Sequence, residues 1–143
     1  MTIRDLTVNR MSDYSFVLVT SVKNEAPWLV EWVAYHRALG FDEVFIYTND
    51  NDDMTAELLK KLDIFPWFGW ADNSQYPGAS PQLRSFENAF PRFSGKQYWL
   101  FVCDVDEYLN LKKHNSVAEF MSNMSSAYAV CVNWRVFGSA GQN

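Results

Sequence analysis

Cysteine is nearly absent: the 143 residues hold two, Cys103 and Cys131. Both lie inside apolar runs, which reads as buried free thiols in a reduced compartment and not as a disulfide framework. Long hydrophobic stretches are missing too. No run approaches the roughly 20 apolar residues that span a bilayer, and the polar start of the chain, Met1 to Asp13, has no signal-peptide core. A soluble cytoplasmic chain is expected, with peripheral membrane association and self-association both left open. There is no block of Lys and Arg, and 12 basic against 17 acidic residues give a net charge of −5. That balance excludes a binder of the nucleic-acid backbone, which needs a positive footprint. No Gly-x-Gly-x-x-Gly precedes a helix, so Gly138 and Gly141 read as turn residues and not as a phosphate cradle. No repeat or low-complexity linker interrupts the chain. One domain over 1–143 is expected, with 1–14 as a flexible N-terminal segment.

What is present is an apolar chain rich in rings. Hydrophobic residues make up 48%, enough for a real core, and aromatics reach 17%. Phe16 to Val22 is a short β-branched run and reads as a buried first strand. Pro27 suits the first helical position and Gly40 the stop, which predicts a helix from Pro27 to Leu39. On that helix His36 falls between Trp32, Leu29 and Val33 and reads as a packed core histidine. Glu43 to Thr48 is a second strand, and Met54 to Leu62 a short helix capped by Asp53 or Thr55. Phe65 to Trp70 is a third apolar segment, where Pro66 argues for an edge strand or a late start. Trp67, Trp70 and Tyr76 form an aromatic cluster that suits a core or the face of a sugar ring. Gln82 to Phe90 reads as a helix ended by Pro91. Then come a strand at Tyr98 to Cys103, a helix near Ser116 to Met124, and a last strand at Ala127 to Val132. Strand and helix alternate throughout, so the expected fold is α/β, a mostly parallel sheet flanked by helices.

The fourth strand is tipped with acid. After Tyr98-Trp99-Leu100-Phe101-Val102-Cys103 come Asp104-Val105-Asp106-Glu107, two carboxylates one residue apart. Hard cations such as Mg²⁺ take oxygen ligands and need only one or two protein carboxylates plus substrate phosphates. Ligands of open α/β sheets bind at the C-terminal ends of the strands. In a parallel sheet, Lys23-Asn24-Glu25, Asn49 to Asp53 and Asp104 to Glu107 share one rim. Seven acidic side chains there repel one another unless a cation or a donor-rich ligand joins them. Each loop alone is explained by solvated turn chemistry, but their conjunction points to a phosphate-bearing ligand.

Lys23 to Gly40, read as Lys-Asn-Glu-Ala-Pro-Trp-Leu-Val-Glu-Trp-Val-Ala-Tyr-His-Arg-Ala-Leu-Gly, resembles the opening signature of family-2-like glycosyltransferases of GT-A fold. Ile46-Tyr47-Thr48-Asn49-Asp50 with Asp53 is similar to their second-strand motif. Phe101 to Leu109 resembles their Asp-x-Asp-Glu motif, and Trp134-Arg135-Val136-Phe137-Gly138-Ser139-Ala140-Gly141 a segment beyond it. The resemblance covers residues 16 to 141. It implies a GT-A-like (Rossmann-like) three-layer sandwich and transfer of a sugar from a nucleotide-diphosphate donor, with Mn²⁺ or Mg²⁺ on the diphosphate. It also implies roles. Asp106 would be the direct metal ligand, and Asp104 would meet the ribose or a metal-bound water. Glu107 would support the turn. Asn24 and Glu25 would line the nucleotide pocket, Asn49 and Asp50 would lie near base or ribose, Lys23 would offset phosphate charge, and Gln82 would face the donor beside Arg84.

Two departures from the family pattern matter. Many relatives carry Asp where Thr48 stands, so base recognition is lost or passes to Asp50. Thirty-seven residues follow Asp106, and after Glu119 none is Asp or Glu. The general base of inverting members comes from further on, so no catalytic base is evident, and the fold is expected to be incomplete at its C-terminal side. The chain reads as a donor-binding half with an unknown acceptor. Two alternatives remain: a degenerate transferase acting as a non-catalytic partner subunit, and a haloacid-dehalogenase-type phosphotransferase. The latter expects Thr or Val where Tyr108 stands, and a downstream Lys and acidic pair that the chain lacks.

Overall fold

The computed structural model describes residues 13–74, 80–94, 97–124 and 126–137. Most of the expected N-terminal segment, Tyr76, and the Gly138 to Gly141 end of the last motif lie outside these residues. The chain order is β1 (Ser15–Val22), α1 (Ala26–Ala38), β2 (Glu43–Thr48), α2 (Thr55–Leu62), β3 (Phe68–Asp72), α3 (Pro81–Phe93), β4 (Tyr98–Val102) and α4 (Val117–Ser122). The four strands form one sheet in the order β3-β2-β1-β4. Every pairing is parallel.

Alternation along the strands divides the core into two layers. Phe16, Leu18 and Val22 of β1, with Val44 and Ile46 of β2, face one side. There they meet Leu29, Trp32 and Val33 of α1, Leu59 of α2, and Val117 and Met121 of α4. Val17, Val19, Phe45 and Tyr47 face the other side, where Ala89 and Phe93 of α3 cover them. Helices on both faces of a parallel sheet explain why β1 and β2 read as unbroken apolar runs. The three-layer α/β architecture is the one expected. None of the described helices is long and apolar enough to cross a membrane.

Local chemistry sets the element ends. Pro27 sits in the first turn of α1, where its missing N–H is not needed. Gly40, at φ +93°, takes the left-handed position beyond the helix. The chain then turns into β2 through a pair of bonds between Asp42 and Phe16. The Asp42 N–H donates to the Phe16 carbonyl at 2.8 Å, and the Phe16 N–H donates to Asp42 Oδ2 at 2.8 Å.

Strand β3 starts at Phe68, after Pro66, and lies at the sheet edge, as the proline predicts; the turn closed by Phe68 N–H on the Phe65 carbonyl at 3.0 Å precedes it. Three expectations are corrected. Helix α3 runs through Pro91 to Phe93. So close to the helix end the proline forgoes one backbone bond, and burying Phe93 offsets that loss. No strand forms at Ala127 to Val132. Its apolar pattern finds no strand partner among the described residues, and Tyr128 is fully exposed. Cys131 is therefore exposed and Cys103 half-buried, both as free thiols.

His36 is fully buried, as its place on the helix predicts. Burial holds its imidazole below the ordinary value of 6.5, opposed by a hydrogen bond to the Trp32 carbonyl. Between the folded and unfolded values the unfolded chain binds this proton more readily. The stability from this group is therefore complete above the unfolded value and is lost as pH falls through the folded one. The urea midpoint should fall from pH 7.5 to pH 5, with a shallower fall in His36→Leu; parallel curves would contradict the assignment. Gly69 gives a second test. A Cβ there would sit 2.8 Å from two atoms of the Phe45 ring, itself covered by the Arg92 guanidinium at 4.1 Å. Gly69→Ala should cost about 1–3 kcal/mol in urea unfolding, and an unchanged midpoint would show that the ring yields freely.

Candidate functional site

Parallel pairing brings the C-terminal ends of all four strands to one rim. Two of the loops there contain non-glycine residues in the left-handed region, Asn24 (φ +59°) and Asp50 (φ +46°). Asn and Asp tolerate this conformation best. Asn24 also ties the first loop to the second. Its N–H donates to Asn51 Oδ1 at 3.0 Å, and its Oδ1 accepts from the Asp52 N–H at 2.9 Å.

The acids of the second loop separate into two kinds. Asp53 accepts from the Ala26 N–H at 3.1 Å and the Thr55 N–H at 2.8 Å. One carboxylate thus serves the first turns of both α1 and α2, where unpaired N–H groups favour negative charge. Desolvation opposes ionisation of Asp53, but bonds from the Thr55 side chain and from these amides outweigh it and hold the group below the ordinary range. Asp53 is a structural cap. Asp50 is exposed, and its N–H donates to Ser74 Oγ at 3.0 Å. Asn49 is buried and reaches Asp50 Oδ2 at 3.4 Å. Lys23 is exposed and makes no hydrogen bond or ion pair among the described residues.

Around the third loop the acids face each other. The Asp104 N–H donates to Glu107 Oε2 at 3.0 Å, and the Glu107 N–H donates to the Asp104 carbonyl at 3.0 Å. Glu107 thereby closes the turn. Gln82 Nε2, from the first turn of α3, donates to Asp104 Oδ1 at 2.8 Å. Arg84 instead pairs with Glu87 along its own helix at 3.3 Å. Asp106 is exposed. Glu25 is raised above the ordinary carboxylate range by burial first, then by the charges of Asp106, Asp53 and Asp104. Three loops therefore direct negative potential at one place. Cys103 stays a thiol there: burial, then Glu107 and Asp104, push it up to about 12.

Some residues at the rim carry no advance signal in the sequence. Asn73, buried just after β3, donates from its backbone to the Thr48 carbonyl at 2.6 Å. Its Nδ2 donates to the Pro81 carbonyl at 3.2 Å and to Ser85 Oγ at 3.0 Å. It anchors the start of α3, and hence Gln82, to the rim. Beside it lies a cleft of about 290 Å³ lined by Thr48, Asp50, Asn51, Lys60, Trp70 and Asp72, among others. Asp72 is held below the ordinary range by bonds from Ser74. A larger cavity of about 600 Å³ runs along β4, with an apolar lining that includes Phe16, Phe90, Trp99 and Phe120. It contains none of the rim carboxylates, so size does not mark the site here. Among the described residues no group of three His, Cys, Asp or Glu side chains is placed to hold a metal ion by itself.

Comparison with known proteins yields relatives in sequence and in fold. The chain is 30% identical over 126 residues to a glycosyltransferase family 92 protein of Ricinus communis, covering 81% of this chain and 22% of that one. It is 29% identical over 126 residues to a glycosyltransferase family 92 protein of Oryza sativa subsp. japonica, covering 81% of this chain and 20% of that one. The chain thus spans about a fifth of the length of the curated relatives it matches. The crystal structure of S. aureus TarS 1-349 matches with a TM-score of 0.53 at 14% identity, over 78% of this chain and 31% of that chain. This likeness shows the shared α/β fold. No protein-family model matches. The motifs resembled family-2-like enzymes, whereas the relatives are named for family 92.

Proposed function

We propose that this chain is the donor-binding portion of a glycosyltransferase, taking a nucleotide-diphosphate sugar at the rim formed by β1, β2 and β4. The observation that carries this reading is the shared rim of the three loops, where Gln82 donates to Asp104 and the charges of Asp106 and Asp104 act on Glu25. The relatives named as glycosyltransferases support it.

The donor set suits a hard divalent cation, Mn²⁺ or Mg²⁺. It is all oxygen, and it offers two carboxylates on one turn, leaving most of the coordination shell to diphosphate and water. Asp104 already gives one oxygen to Gln82, whereas Asp106 accepts no hydrogen bond among the described residues. Asp106 is thus the better direct ligand, with Asp104 turned to the ribose or to a metal-bound water. When bound, the cation supplies Lewis-acid stabilisation of the departing nucleoside diphosphate.

The protein residues perform the remaining work. Asn24 and Glu25 form the near wall of the nucleotide site at the start of α1. Asp50, which lines the cleft at the ends of β2 and β3, and Asn49 before it would serve the base or ribose. Lys23 offsets phosphate charge. Glu107 keeps the carboxylate turn closed.

Calorimetry with uridine or guanosine diphosphate tests the reading. Binding should require Mn²⁺ or Mg²⁺, vanish in excess chelator, and weaken at least about tenfold in Asp106→Ala. Equal binding in chelator, or unchanged affinity in that variant, would overturn it.

A further inference from the structure

The segment carrying Asp104 and Asp106 belongs to neither a strand nor a helix. It leaves β4 after Val102 and runs irregularly until α4 begins at Val117. The turn closed by Glu107 fixes its first residues. The main chain from Glu107 to Leu109 is held from outside, by α1. Trp32 Nε1 donates to the Glu107 carbonyl at 2.9 Å. The Tyr35 hydroxyl donates to the Leu109 carbonyl at 2.9 Å. The Leu109 N–H donates to His36 Nε2 in a long bond of 3.4 Å.

One tautomer satisfies both sides of the imidazole. His36 Nδ1 lies 2.9 Å from the Trp32 carbonyl, which can only accept. Nδ1 therefore carries the proton and Nε2 the lone pair that receives Leu109. The ring of Tyr108 stacks on His36 at 6.0 Å and 17°, and meets the edge of Tyr35 at 5.1 Å. Packing alone would need only these ring volumes. Here three polar atoms also reach main-chain groups within a three-residue span that starts one residue after Asp106. They come from positions i, i+3 and i+4 of one helix, which share a face.

We propose that Trp32, Tyr35 and His36 are positioning residues, clamping the main chain at Glu107 to Leu109 and so setting the direction of Asp104 and Asp106. Helix α1 follows directly on Asn24 and Glu25, so one rod carries both the first-loop residues and the clamp. The separation between those residues and the carboxylate turn is then a property of α1. This inference rests on the donor-site reading above.

The test uses Tyr35→Phe and Trp32→Phe, each removing one donor while keeping a ring, and His36→Gln beside His36→Leu. Amide hydrogen exchange by NMR reads the clamp without any ligand. Exchange across residues 104–109 should quicken at least about tenfold in Tyr35→Phe, Trp32→Phe and His36→Leu while β1 amides stay protected. His36→Gln, which keeps an acceptor for Leu109, should recover part of the protection. Affinity for uridine diphosphate with Mn²⁺ should weaken about tenfold in step, with the urea midpoint of Tyr35→Phe near that of the wild type. Unchanged exchange at 104–109, or faster exchange with unchanged affinity, would overturn the clamp. A wild-type chain that binds neither uridine nor guanosine diphosphate with Mn²⁺ would overturn the donor-site reading, and the exchange data would still judge the clamp.

Discussion

Parallel pairing of β1 with both of its neighbours is the constraint from which the rest follows. Buried on both faces, β1 pairs Val22 with Thr48 of β2, and Thr48 pairs with Asp72 of β3. These three strands therefore end level, and Asn24, Asp50 and Asn73 emerge side by side. Strand β4 pairs its Val102 with Val19. The acidic turn that follows Val102 therefore opens onto the same rim as Glu25. Antiparallel pairing of any one strand would have sent its loop to the opposite end of the sheet.

Seven acids at one rim are costly, and the fold neutralises them unequally. Asp53 is satisfied by two helix N-termini. Glu107 is satisfied by its own turn, and Asp104 shares one oxygen with Gln82. Asp106 and Glu25 are left facing like charge with no donor given to either carboxylate among the described residues. Structural acids are those whose hydrogen bonds the backbone supplies. Acids left facing one another are the candidate ligands of the proposed site, and this difference separates them from the caps.

Much of this was legible in the sequence, for a physical reason. Strands buried on both faces must be apolar without interruption, so Phe16 to Val22 and Glu43 to Thr48 stand out. Pro27 and Gly40 bracket α1 by rules local to a few residues. The rim followed from topology, because parallel strands gather their C-terminal ends. Other features depend on contacts that no local pattern encodes. Pro91 ends a helix by propensity, yet Phe93 has a core site to fill. Ala127 to Val132 has an apolar pattern suited to a strand, but a strand exists only beside a partner edge. Asp53 was legible as a cap of α2, but its second bond, from the Ala26 N–H of α1, depends on the two helices meeting. Asn73 carried no signal, since its value lies in reaching Pro81 and Ser85 across a loop.

The central claim is that the β1, β2 and β4 loops form a single cation-dependent diphosphate site. Paramagnetic broadening tests it most directly: NMR amide signals are followed as substoichiometric Mn²⁺ is added with uridine or guanosine diphosphate. The account expects broadening centred on Asn24–Glu25 and Asp104–Glu107, weaker at Asn49–Asp50, and absent along the apolar cavity beside β4. Broadening confined to one loop, or spread over the exposed acids of α2 and α4 with the rim unaffected, would contradict it.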